Sequence, residues 1–392
     1  MAILVDRFGQ KFGGAEAYSV NVVESMSKQY EVTVIAHEFD HDLPVNEILI
    51  KRRLFWPNWY RIWNFSRHAQ RLTREGYDVV HSHMDGPSGD IQTMHVSPYK
   101  YRHMTTKPWW RRAFSCLSLR KMAYLYLEGS RLHHQPGRHI VGVSPTTRDQ
   151  LRQAYGSALN IGVMTPGVRI VPRNEAVRQR VRAQLGWKKN DIGYVLIARN
   201  PMRKGLIVTL QALRLLPASC HLVVVGADAA TRQEIDAHYA DLRARVKLIE
   251  PTPEVSGYFQ AADICVHPTL NDSFGMAPLE AMAHGLPIVI SNVKYCGFSQ
   301  YLTHERNAWV LAEPRDPVAL AHAMQELGFS QHLRTTLVQQ GLLLAESFSW
   351  DQVATRYEGL YSTCVAEKRW AHRHAKVEPL DDFYIDRTES VS

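Results

Sequence analysis

Short runs rich in β-branched residues recur along this chain with turn residues and helix-period segments between them. Parallel strands demand this spacing, because each must be joined to the next by a long crossover. In the first part the runs are Ile3 to Val5, Glu31 to Ala36, Asp78 to His83, Ile91 to His95 and His139 to Ser144. In the second they are Tyr194 to Arg199, His221 to Gly226, Val246 to Glu250, Asp263 to His267, Pro287 to Ser291 and Ala308 to Leu311. The pattern predicts two doubly wound α/β units in tandem, and 392 residues let each bury its own core without disulfides. The boundary is expected at Thr165-Pro166-Gly167-Val168, followed by Val171-Pro172, where the prolines oppose helix continuation and the glycine permits a sharp turn. The expected division is a domain over 1–165, a second over 166–346, a helix over 347–368 returning to the first domain, and a tail over 369–392.

Charge is placed unevenly. The 46 Lys and Arg against 38 Asp and Glu leave +8, of which residues 1–165 carry +7. From Ile91 to Leu127 there is no acidic residue, while Lys100, Arg102, Lys107, Arg111, Arg112, Arg120 and Lys121 alternate with Tyr99, Tyr101, Trp109, Trp110, Tyr124 and Tyr126. Such a segment suits an anionic membrane surface, suits nucleic-acid phosphates with base stacking, or is a solvated helix face. Five scattered cysteines without a C-x-x-C pair indicate neither a disulfide framework nor a structural zinc site and fit a reducing cytoplasm. Neither a membrane span nor a secretion signal is expected.

Ligands of open parallel sheets sit beyond the carboxyl ends of the strands, so the chemistry is sought there. After the first strand, Gly13-Gly14-Ala15-Glu16 opens a helix, and paired glycines let backbone amides approach an anion at a helix N-terminus. A tight turn needing glycine for steric reasons reads equally well. Neither G-x-G-x-x-G nor a P-loop string occurs, which argues against a dinucleotide oxidoreductase and a P-loop enzyme. The second unit opens with Arg199-Asn200-Pro201-Met202-Arg203-Lys204-Gly205, whose guanidinium and ammonium groups suit a diphosphate. The passage from His267 to Pro287 places Asp272 before a glycine turn at Ser273-Phe274-Gly275-Met276 and Glu280 about one turn into the following helix. Amides at the turn suit a phosphate, and the two carboxylates suit sugar and ribose hydroxyls. His81 and His83 share one side of a strand, but no third ligand with metal spacing accompanies them.

These strings together resemble the retaining glycosyltransferases of family 4, which have the GT-B fold of two Rossmann-like domains facing across a cleft. The resemblance runs over nearly the whole chain: Gly13 to Glu16, Tyr77 to His83, Thr93-Met94-His95, Val143-Ser144, Pro166-Gly167-Val168, Arg199 with Lys204-Gly205, and Glu280 to Pro287. It implies that Arg199 and Lys204 hold the donor diphosphate, that Glu280 accepts from ribose hydroxyls, and that Gly14 approaches the phosphates from the first domain. His95 falls at the family's cleft histidine, near the anomeric carbon. Asp272 stands where the family has a glutamate contacting the donor sugar, one methylene shorter. No metal or other cofactor is implied; the nucleotide-diphosphate sugar, UDP-linked by preference, is a co-substrate. The base is expected near Glu250-Pro251-Thr252.

By the same resemblance the acceptor binds the N-terminal domain and is often lipid-linked. Lys100, Arg102, Lys107, Trp109, Trp110, Arg111 and Arg112 then become a surface for an anionic membrane and its acceptor, and nucleic acid drops out as a partner. The reading is a glycosyltransferase at the inner face of the cytoplasmic membrane, building lipopolysaccharide or another cell-envelope glycan; Tyr295-Cys296-Gly297-Phe298 resembles a stretch of lipopolysaccharide-core enzymes. Transfer to a small soluble acceptor, and a non-catalytic nucleotide-sugar or nucleic-acid binder, are the alternatives.

Overall fold

Every β-rich run becomes a parallel strand. The computed structural model of the protein describes residues 1–53, 55–108, 118–133 and 135–374. The first sheet holds β1 (Ala2–Leu4), β2 (Thr33–Ala36), β3 (Asn46–Leu49), β4 (Val80–Ser82), β5 (Ile91–Met94), β6 (His139–Gly142) and β7 (Ile161–Val163), in the order β3-β2-β1-β4-β5-β6-β7. The second holds β8 (Ile192–Ile197), β9 (Cys220–Val225), β10 (Val246–Ile249), β11 (Ile264–His267), β12 (Ile288–Ser291) and β13 (Trp309–Leu311), in the order β10-β9-β8-β11-β12-β13. Both orders step outward from a central first strand in each direction, which is doubly wound topology with a switch point beside β1 and beside β8.

Composition follows position. Most inner strands are apolar on both faces, as in the buried Leu-Val-Val-Val of β9, because helices cover each side; β4 and β5 instead bury His81, Ser82, Gln92 and Thr93. The edges β3 and β7 escaped the sequence reading because an edge strand has no need of two apolar faces: Asn46, Glu47 and Gly162 are exposed. Helix starts are set by caps. Ser144 accepts from the Thr147 amide ahead of Pro145, and Asp316 accepts from the Val318 and Ala319 amides ahead of Pro317.

The chain passes from the first sheet to the second through 165–168 and returns before the final helix, α1 (Trp350–His374). The two crossings touch: the Val168 amide donates to the Phe348 carbonyl at 2.8 Å. Gly167 was expected to serve a sharp turn, but its backbone is not left-handed. It is required by packing instead, since a Cβ there would lie 2.5 Å from the Trp350 ring. Beyond Trp350, α1 sinks Val353, Ala354, Tyr357, Tyr361 and Cys364 into the core of the first sheet. Among the described residues no helix is long and apolar enough to cross a membrane.

Five hydroxyl and imidazole groups tie α1 to that sheet. Tyr361 Oη lies 2.8 Å from His81 Nδ1, His81 Nε2 lies 2.7 Å from Thr93 Oγ1, Thr93 Oγ1 lies 3.1 Å from Tyr357 Oη, and Tyr357 Oη lies 2.9 Å from Tyr18 Oη. Tyr18 in turn donates to the Met164 carbonyl at 3.2 Å. A carbonyl only accepts, so it orders the whole chain: each hydroxyl passes its proton one way, and His81 carries its proton on Nε2. Tyr357→Phe keeps the packing but strands the Thr93 proton and the Tyr18 lone pair, and is expected to cost about 1–3 kcal/mol. Tyr357→Ala adds a cavity and should cost about 3–5 kcal/mol. Urea unfolding checks both, and a Phe variant as stable as the parent would contradict the ordered chain.

Candidate functional site

The carboxyl ends of both sheets face a cavity of about 770 Å³. Gly14, His95, Arg199, Lys204, Asp272, Ser273, Phe274, Gly275, Met276 and Glu280 all line it, so residues chosen from separate strings come together at one place. Tyr18, Arg169, Ser256, His267, His284 and Trp350, none of which had been given a site role, line it too. Of the expected base-binding loop, Glu250-Pro251-Thr252 lies off this lining, and Val255 and Ser256 stand in its place.

The glycine turn is fixed by its neighbours. Gly275 has φ +109° and caps the helix Met276–Ala283, whose first-turn amides have no intrahelical partner. Opposite, a Cβ on Gly14 would meet no atom within 4 Å, so packing does not require glycine there; the space belongs to the cavity. The turn is clamped from behind by Tyr295 to Phe298. The Asp272 amide donates to the Tyr295 carbonyl at 2.8 Å, and the Gly297 amide donates to the Asp272 carbonyl at 3.0 Å. Phe274 then packs on Phe298 at 5.6 Å between ring centres.

Asp272 is not a free carboxylate. Its Oδ2 lies 2.6 Å from Lys204 Nζ and 3.0 Å from His267 Nε2, and Lys204 also donates to the Asn271 carbonyl at 3.1 Å. Burial alone would raise this carboxyl, but the His267 hydrogen bond and the Lys204 ammonium outweigh it and hold it well below the usual carboxylate range. Burial also keeps His267 neutral, so it acts as a plain N–H donor. Of the two cations expected to clamp a diphosphate, Lys204 is already paired with and positioned by Asp272, while Arg199 is exposed and has no ion pair among the described residues.

His267, Asp272 and Cys296 bring ligand atoms within 4.8 Å of one another, close enough for a metal ion. The donor set fits one poorly. The Lys204 ammonium already holds the carboxylate, and burial pushes the Cys296 thiol up to about 12, leaving it protonated where a metal needs the thiolate.

Glu280 has the opposite character. It sits part-buried in the cavity wall, its carboxylate makes no hydrogen bond or ion pair among the described residues, and burial pushes it up to about 7. Its helix is held by His284, which bonds the Glu280 carbonyl at 2.7 Å and Ser256 at 2.8 Å.

On the N-terminal side, His83 Nδ1 lies 2.8 Å from His95 Nε2, and the rings stack with centres 5.0 Å apart. Burial and then the charge of Arg131 hold His95 down at about 3, and burial with His81, His95 and Arg131 nearby holds His83 well down too. His83 Nε2 is buried without a partner among the described residues. An orphaned lone pair is cheaper than an orphaned N–H, so the shared proton belongs to His83 Nδ1 and His95 keeps its own on Nδ1. His95 thus offers a hydrogen-bond donor rather than a base. Arg131, also unforeseen, is 3% exposed and is satisfied by Asp85 at 2.7 Å, Gln92 at 3.0 Å and the Thr93 carbonyl at 2.7 Å.

A second cavity of about 520 Å³ adjoins the first and shares Val96, Lys204, Asp272 and Ser273 with it. Arg102, one of the cations expected at the acceptor and membrane surface, is exposed and lines it. Lys100 is spent on the Tyr155 ring, 4.4 Å from its centre, and Lys107 is exposed. Trp109, Trp110, Arg111 and Arg112 lie outside the described residues.

The sequence profile of Glycosyltransferase Family 4 matches residues 12–171, and that of Glycosyl transferases group 1 matches residues 189–328. A D-inositol 3-phosphate glycosyltransferase of Xylanimonas cellulosilytica is 30% identical over 238 residues, 57% of this chain and 56% of that protein. The chain thus spans a little over half the length of the first curated relatives it matches. WaaG, a glycosyltransferase involved in lipopolysaccharide biosynthesis, superposes with a TM-score of 0.73 at 20% identity over 91% of this chain and 98% of that one. Anabaena Alr3699/HepE, solved with UDP and glucose, gives 0.69 at 16% identity over 92% and 98%. At these identities the likeness is one of fold, and the fold is GT-B.

Asp272→Asn tests the ion pair. A carboxyl held low stabilises above its unfolded value of 3.8 and loses that contribution as pH falls through the folded one. The variant should lose about 2 kcal/mol near neutral pH and show a shallower acid limb in its stability profile. An unchanged limb would remove Asp272 from this role.

Proposed function

We propose that this chain, which belongs to the family 4 and group 1 glycosyltransferases, moves a sugar from a nucleoside-diphosphate donor to an acceptor hydroxyl with retention of configuration. The observation that carries this reading is the convergence of Gly14, His95, Arg199, Lys204, Asp272 and Glu280, from both halves of the chain, on one cleft.

Breaking the anomeric bond leaves an oxocarbenium-like sugar and a negatively charged diphosphate, so groups already aimed at the leaving phosphate lower the barrier most. Arg199, Lys204 and the first-turn amides of Met276–Ala283 fill that role. Lys204 needs no reorganisation, since Asp272 and the Asn271 carbonyl hold it in place. Glu280 accepts from the ribose hydroxyls. The free oxygen of Asp272 and the N–H of His95 contact the donor sugar, and the departing phosphate takes the acceptor proton on the same face. Closure of the two halves aligns the partners and excludes water. The reading calls for no metal, and UDP is the favoured carrier, supported by the UDP complexes of a GT-B protein of like fold.

For the acceptor, the basic N-terminal half supports a membrane-associated glycan of the cell envelope, with the enzyme peripheral on the inner face of the cytoplasmic membrane. The lipopolysaccharide role of WaaG, a protein of the same fold, is in keeping with it. A second reading, a small soluble acceptor, is favoured by the D-inositol 3-phosphate glycosyltransferases among the relatives. Binding to vesicles decides between them: Arg111→Ala with Arg112→Ala should lower retention on anionic vesicles several-fold, and a parent protein that ignores such vesicles sinks the membrane reading.

Donor binding should carry a pH signature. Ribose hydroxyls donating to Glu280 favour its carboxylate, so binding expels the proton held with a value of about 7. Affinity for the nucleoside diphosphate should rise as pH climbs toward about 7 and level off above it. Glu280→Gln should bind about tenfold more weakly at high pH, roughly 1.4 kcal/mol, and lose the slope. Calorimetry at several pH values reads both, and sugar transfer that survives Glu280→Ala and Lys204→Ala unchanged would remove the catalytic assignment.

A further inference from the structure

The smaller cavity beside the donor pocket is strongly one-signed. Arg102 reaches it from the turn at Tyr101–Thr105, Arg203 from the turn at Met202–Lys204, and Lys294 from the segment after β12. Among the described residues none of the three has an ion-pair partner, although neighbouring cations do: Arg148 pairs with Asp149 at 2.8 Å and Arg315 with Glu313 at 3.3 Å. The sole carboxylate of the described lining, Asp272, is already neutralised by Lys204 at 2.6 Å. Tyr101, Thr106, Thr146 and Gln150 add hydrogen-bonding groups. Three exposed cations from both halves of the chain, without an ion-pair partner among the described residues, thus line a cleft of about 520 Å³ and give it a net positive charge suited to an anion; Arg102 and Lys294 also lie over the Tyr99 and Tyr295 rings, at 6.0 and 5.3 Å.

We propose that this cavity is the acceptor subsite and that it selects an acceptor bearing an oxyanion, a phosphate ester or carboxylate carried on a sugar-sized polyol. The assignment rests on the glycosyl-transfer reading, because it is the shared wall of Lys204, Asp272 and Ser273 that puts an acceptor hydroxyl beside the donor sugar. Guanidinium forks and an ammonium match oxyanion geometry and leave a neutral sugar with no comparable partner. The oxyanion therefore acts as a handle: Arg102, Arg203 and Lys294 hold it, and the rest of the acceptor is turned toward Asp272.

The full chain saturated with UDP, so that the diphosphate site is occupied, is titrated with glucose 6-phosphate, glucuronate and glucose. At least one anionic probe should bind ten or more times tighter than glucose, and the order of the two separates a phosphate subsite from a carboxylate one. Arg102→Ala with Lys294→Ala should bring the anionic probes down to the level of glucose while UDP affinity stays within about twofold. Failure of both anionic probes to outbind glucose overturns the proposal, as does a preference that survives in the double variant. If UDP itself does not bind, the donor reading falls separately, and the same probe series without nucleotide still decides whether the pocket selects oxyanions.

Discussion

The ordered hydrogen-bond chain from Tyr361 to the Met164 carbonyl is what the cleft rests on. It joins α1, the last described element in sequence, to strands β4 and β5 near the centre of the first sheet and to the helix that follows the Gly13-Gly14 turn. Because the chain runs in one direction, each member fixes the hydroxyl rotor or tautomer of the next. Burial that keeps His81 uncharged, at about 3, is part of the same device, since an imidazolium would have a second proton and nowhere to place it. The His83 and His95 pair stands beside it, with Tyr18 edge-on to His95 at 5.0 Å. The packing of the terminal helix and the orientation of a cavity-lining histidine are thereby one structural problem with one solution.

A second economy lies at Asp272, which turns one oxygen to its own protein, binding Lys204 and His267 together, and leaves the other without a hydrogen bond among the described residues. The cleft then holds three kinds of charge: a lysine neutralised by the Asp272 carboxylate, a Glu280 that has no partner among the described residues and that burial makes hold its proton more tightly than an ordinary carboxyl, and a group of cations in the adjoining cavity. None of these could be assigned from net charge, because +8 counts Lys204 and Arg203 alike.

Much of the architecture was legible because buried parallel strands must be apolar on both faces, and the glycine turn at Gly275 because only a left-handed backbone fits there. The convergence of ten residues followed from the rule that strand ends face the ligand. What escaped the sequence was tertiary pairing. His267 reads as the last residue of a strand, and nothing local tells that Asp272, five residues on, folds back to it. Arg131 looks like one more surface cation until Gln92, Asp85 and the Thr93 carbonyl surround it. The stacked pair on His83 was half visible: its strand partner His81 was seen, but its nearest ring-nitrogen contact, His95, comes from the next strand.

The contact between Val168 and Phe348 has a mechanical meaning. Two halves joined by a single segment can swing and twist about it, whereas here the outgoing and returning segments are bridged to each other at Val168 and Ser349. Trp350, wedged against Gly167, packs the two together. The two crossings are thereby one joint rather than two, so a displacement of either segment is felt by the other.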